Sequence, residues 1–281
     1  MSRAPPDSGY LSRAGRLKSL LHALAFCLTA ALALVVASIA SRQFPGWPEE
    51  VVIGAVAALL TWALTAAFLR RDRKRFGDVG LAWDRRTHVR FFIGLAIGFA
   101  LVGVHVAILA STGDVVWTRN SGVDATGTVV AAFGYLLLAL REEIAFRGYP
   151  LRTLLPAFGA AGAQLMVMAV FVAEHRLGGA TWSNAIIGAG LGALVFGMAA
   201  LATRGIALAL GLHAAWNFGD WMRGGKQGHG VWTMHIEKAH SAHVDQVALA
   251  AYAAIMLLML FFFAVIHRQN EIPVSKRDPG I

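Results

Sequence analysis

Eight runs of mostly apolar residues, each long enough to cross a bilayer as a helix, divide this chain: 20–40, 51–69, 91–110, 128–149, 158–175, 184–202, 205–221 and 247–266. About twenty such residues span the hydrocarbon layer. Lipid offers no partner to a backbone amide, so only helices or a closed barrel can cross it. The runs are continuous rather than alternating, and they predict an all-α, polytopic integral membrane helical bundle of about eight transmembrane helices. At 57% hydrophobic and 15% charged residues, the chain exceeds the apolar share of an ordinary soluble domain, about 45–50%. The expected organisation is a basic lead at 1–18, a membrane-embedded helical domain at 19–267 and a tail at 268–281.

The net charge of +9 would suit a nucleic-acid partner if the basic residues formed a patch. They fall instead into short segments between apolar runs. Arg70, Arg71, Arg73, Lys74 and Arg75 follow directly on Leu69, so lipid headgroups are their expected partner and nucleic acid is not. With eight spans, seventeen Lys and Arg lie on the side of the termini and six on the other, with Arg141 and Arg147 inside a span. Cytoplasmic loops carry the excess. Both termini are therefore expected in the cytoplasm, with the chain in the cell (inner) membrane. Cys27 is the single cysteine, which leaves no intrachain disulfide and no thiolate cluster.

The residues out of place are polar ones within the apolar runs. Arg141-Glu142-Glu143-Ile-Ala-Phe-Arg147 puts four charges at the end of the fourth run, where each costs roughly 2.5–3.5 kcal/mol on insertion scales. On a helix Glu143 and Arg147 stand at i and i+4, the favoured order for an ion pair. Glu142 points elsewhere and stays free. The fifth run ends Phe171-Val-Ala-Glu-His175, and the seventh holds His213 and Asn217 four residues apart. Each of these groups needs a partner that lipid cannot supply, and one shared polar site is the economical arrangement.

Such a set supports hydrolysis. Glu142 suits a general base toward water, His175 can position that water, and His213 with Asn217 can stabilise an oxyanion. No Ser or Cys is placed as a nucleophile, which favours attack by water. The same Glu142, His175 and His213 could hold a divalent metal such as zinc that activates the water. Both mechanisms remain open at this level.

On these residues the chain resembles the CPBP family of intramembrane proteases, which includes the type II CAAX prenyl endopeptidases and bacterial relatives. The family's motifs, in order, are E-E-x-x-x-R, F-x-x-x-H and H-x-x-x-N/D. Here they read Glu142-Glu143 with Arg147, Phe171 with His175, and His213 with Asn217, within a family-like core at 128–220. The resemblance implies an endopeptidase acting on a peptide or protein substrate near the cytoplasmic face. It gives catalytic roles to Glu142, His175, His213 and Asn217 and supporting roles to Glu143, Arg147 and Phe171. It secures no cofactor, since members are described both as metalloproteases and as metal-independent glutamate proteases. Arg141 departs from the family, which usually has a small or apolar residue there; two readings are that it snorkels to the interface or puts a charge beside the base. Ala, Gly and Arg richness suggests a bacterial source.

Two alternatives use the same sequence differently. In one, the fold is a non-catalytic scaffold or immunity-type binding protein. In the other, His229, His235, Glu237, His240, His243 and Asp245 in the loop 222–246 sense or carry a metal.

Overall fold

A computed structural model describes residues 12–226 and 230–271, with the Glu271 side chain left aside. The helices are α1 (Arg13–Ser41), α2 (Glu49–Asp72), α3 (Thr87–Ser111), α4 (Ala125–Glu142), α5 (Tyr149–Leu177), α6 (Leu191–Ala202), α7 (Ala207–Met222) and α8 (Ser241–Glu271). A π-helical turn, Glu143–Gly148, joins α4 to α5, and a second, Asn184–Gly190, leads into α6. Six of the resulting helical segments are long and apolar enough to cross a membrane. The chain is an all-α membrane bundle.

One of the six, Ala125–Leu177, is 53 residues long, too long for one crossing. It is a hairpin. Pro156 removes a backbone donor, and Gly159 then adopts φ 68°, ψ 177°, a backbone that side chains disfavour. Contacts across the turn run antiparallel: Arg141 pairs with Glu174, and the rings of Phe146 and Phe171 meet edge to face at 4.9 Å. The sequence placed the end of the fourth run at residue 149, before Pro150. The helix instead passes Pro150 and continues to the turn. Proline lacks the donor that a regular helix requires at that position; here it stands in the first turn of α5, after the π turn ends at Gly148, which leaves helical geometry with ψ −116°.

The tightest helix crossing is between α3 and α7, and small residues make it possible. A Cβ on Gly211 would lie 2.1 Å from the Phe91 carbonyl oxygen, and one on Gly94 would lie 2.2 Å from that of Leu208. The glycines of the sixth run serve differently. Gly197 makes room for the side-chain amide of Gln164, and Gly188 accepts a hydrogen bond from Tyr252 Oη at 2.5 Å. Large apolar residues face outward, among them Leu59 at 71% and Phe261 at 68% exposure, the expected lipid surface.

A two-stranded antiparallel ribbon lies outside the bundle, β1 (Val115–Arg119) against β2 (Trp232–Ile236). It pairs the loop before α4 with the loop before α8. Trp117 Nε1 donates to the Arg223 carbonyl at 3.1 Å, which ties the ribbon to the end of α7.

Candidate active site

The hairpin sets the depth of the site. Near-equal lengths of chain separate Gly159 from Glu142 and from His175, so a rise of 1.5 Å per residue carries each roughly 25 Å back from the turn. Both then line one cavity of about 870 Å³, together with Phe171, Phe196, His213 and Asn217. The two Glu residues sit where α4 passes into the π turn, a distortion often found at functional sites.

Glu143 and Arg147 are fully buried, with Arg147 Nη1 3.3 Å from Glu143 Oε1. The guanidinium lies between two rings, 4.9 Å from the centroid of Phe171 and 5.6 Å from that of Phe196. Its Nη2 donates to the Ala193 carbonyl at 3.3 Å. Buried charge persists only when paired and hydrogen-bonded, and here an acid, two aromatic faces and a carbonyl share the task.

The same Glu143 reaches α7. Its Oε1 is 2.8 Å from His213 Nδ1. An ionised carboxylate only accepts, so Nδ1 carries the hydrogen and Nε2 is the nitrogen left to the cavity. There Nε2 stands 3.5 Å from Glu142 Oε2. The imidazole stacks on Phe196 at 4.4 Å and 16°, which fixes its plane. His213 thus bridges two carboxylates that are neighbours in sequence. His175 Nδ1 meets the Phe171 carbonyl at 3.0 Å, so its Nε2 is likewise the nitrogen left over. Asn217, one turn beyond His213, lines the cavity beside Asp220.

Arg141 neither snorkels nor stands beside Glu142 as an unpaired charge. It is buried at 1% exposure and makes a bidentate pair with Glu174, Nη2 to Oε2 at 2.9 Å, with a further contact to the Ala30 carbonyl of α1 at 3.3 Å. Glu174 escaped the sequence reading, although it directly precedes His175. The available signal was charge balance: an arginine deep in a span needs an acid within reach of its own helix hairpin. Phe196 was also missed, and an aromatic in an apolar run carries no signal of its own.

Among the described residues, no three His, Cys, Asp or Glu side chains come close enough to share a metal ion. Glu142, His175 and His213, as they stand, do not form such a set. The described histidines of the loop 222–246 are held by protein groups. His235 meets Thr118 Oγ1 at 2.7 Å, while His240 and His243 turn to Asp114 at 2.5 and 3.9 Å. His229 lies outside the described residues.

Residues 124–219 match the family model described as type II CAAX prenyl endopeptidase Rce1-like. Over this segment, about a third of the chain, the sequence is similar to the CAAX protease-like family. The resemblance to CPBP proteases is therefore borne out. The Rce1-like segment begins at Asp124, whose carboxylate caps α4 by accepting from the Gly127 amide at 2.7 Å, and ends on α7 at Gly219. It takes in both arms of the hairpin and the His213 face. The match supports, at the level of the family, an intramembrane endopeptidase of the CAAX type embedded in a bilayer, with a peptide or protein as substrate. Comparison with curated proteins finds no match.

Proposed function

We propose that the Rce1-like core hydrolyses a peptide bond with a water activated by Glu142 and His175, and that His213 and Asn217 hold the oxyanion. The observation that carries this reading is the 3.5 Å approach of Glu142 Oε2 to His213 Nε2 at the wall of a cavity that His175 and Asn217 also line.

Glu142 takes a proton from water as the oxygen attacks the carbonyl carbon. The lone pair left on His175 Nε2 accepts the second water hydrogen and orients the attack. Charge develops on the carbonyl oxygen, where the Asn217 amide and His213 Nε2–H donate to it. That role requires His213 to carry hydrogen on both nitrogens, and Glu143 balances the resulting positive ring across the 2.8 Å contact. Collapse breaks the C–N bond, and Glu142 returns its proton to the leaving nitrogen. Arg147, packed against the Phe171 ring, holds Glu143 and so keeps His213 in place.

Asn217→Ala tests the oxyanion assignment. With the purified full-length chain and a membrane-anchored peptide, kcat should fall about 10²–10³-fold while KM changes little. An unchanged kcat removes Asn217 from the reaction.

A further inference from the structure

Arg141 and Glu174 are the chain neighbours of Glu142 and His175, yet neither lines the cavity. Successive residues on a helix point about 100° apart, so the ion pair lies on the α1 side of the hairpin while Glu142 and His175 turn to the cavity. The pair is bidentate. Arg141 Nη1 donates to Glu174 Oε1, and Nη2 donates to Oε2 at 2.9 Å and to the Ala30 carbonyl of α1 at 3.3 Å.

The register of the hairpin decides which residues of its two arms face each other. The rings of Phe146 and Phe171 meet at 4.9 Å. Glu142 stands four residues before the first and His175 four after the second, so the alignment that joins the rings also brings Glu142 opposite His175, about one turn away. Two contacts therefore bracket the candidate reactive groups: the ring pair on one side and Arg141 with Glu174 on the other. They differ in what they fix. Aromatic pairs accept several arrangements, whereas a planar guanidinium fork on a carboxylate sets both distance and orientation. The backbone adds little here, because regular α-helix ends at Glu142 and the π turn begins at Glu143.

We propose that Arg141 and Glu174 are a positioning pair: their ion pair sets the spacing of Glu142 and His175, and the contact with Ala30 makes α1 part of the frame that holds them. Its role in turnover rests on the hydrolytic reading above; the spacing itself does not. Neither residue touches the substrate, and each acts through its chain neighbour.

The double variant Arg141→Met/Glu174→Leu separates positioning from stability, since it strands no buried charge and should keep near wild-type stability. A purely structural pair predicts that activity recovers with the fold. Positioning predicts that it does not: on a membrane-anchored peptide, kcat of the purified full-length double variant should fall about 10²-fold, the cost of a misplacement of about 1 Å, with KM within a few-fold of wild type. Arg141→Lys keeps the charge but has no fork; it should also be slowed, and it carries the test if the double variant does not fold. The spacing is read without turnover by crosslinking Glu142→Cys/His175→Cys with a short bifunctional thiol reagent, the native Cys27 being buried. Adding Arg141→Met/Glu174→Leu, or Arg141→Lys in its place, should lower the crosslinking yield several-fold. A folded variant of the pair that cleaves at the wild-type rate, or a crosslinking yield that the variants leave unchanged, overturns the proposal. Cleavage by Glu142→Gln at the wild-type rate overturns the hydrolytic reading alone, because the crosslinking comparison still judges the spacing.

Discussion

Replacing His213 with alanine is expected to lower kcat about 10³-fold or more, with KM within a few-fold of wild type. His213 touches both carboxylates, at 2.8 Å to Glu143 and 3.5 Å to Glu142. Its loss removes an oxyanion donor and the link that positions Glu142, contributions that each reach about 10²–10⁴-fold in enzymes. Residues that act as a unit are not additive. The double variant His213→Ala/Glu142→Gln should therefore be no more than about tenfold slower than the slower single variant. His213→Gln, which keeps a donor toward Glu143, should retain wild-type thermal stability and still be slow. Losses that multiply would show that the two residues act in separate steps.

The second large effect is on stability. Glu174→Leu strands the Arg141 guanidinium, 1% exposed, against the Phe146 ring and the Ala30 carbonyl. Removing one member of a buried pair costs about 3–5 kcal/mol. Arg141→Met leaves Glu174, whose side chain keeps 16% exposure, and should cost less, about 1–3 kcal/mol. With both replaced, no charge remains to be solvated. The double variant should return to within about 2 kcal/mol of wild type, since apolar replacement of buried pairs is often neutral. Reversible unfolding of the four forms in detergent measures the cycle, and two single losses that simply add would show that the pair is uncoupled.

Most of the fold was legible because each apolar run had to be a helix once placed in lipid. The boundary that failed, residue 149, was set on Pro150 by a rule for regular helices, and the chain changes to a π turn just before that proline. The ribbon was invisible for another reason. Val115–Arg119 and Trp232–Ile236 are short and separated by more than a hundred residues, so no local turn chemistry announces their pairing. At the site, the i, i+4 spacings carried real geometry: Glu143 with Arg147, and His213 one turn from Asn217. The bridge from Glu143 to His213 crosses two helices, and no local spacing encodes it. Nor does the sequence show that Arg141 belongs to Glu174, since their meeting depends on the hairpin turning at Gly159.

The central claim is that Glu142 moves the proton of the attacking water. The most direct measurement is kcat of purified Glu142→Gln against wild type on one membrane-anchored peptide, with thermal unfolding recorded for both. Glutamine keeps the shape and loses the base. The account predicts at least a 10³-fold fall in kcat, near the middle of the range for general-base catalysis, with the unfolding temperature unchanged. Cleavage at the wild-type rate by a folded Glu142→Gln protein would contradict it and leave the site as a structural polar network.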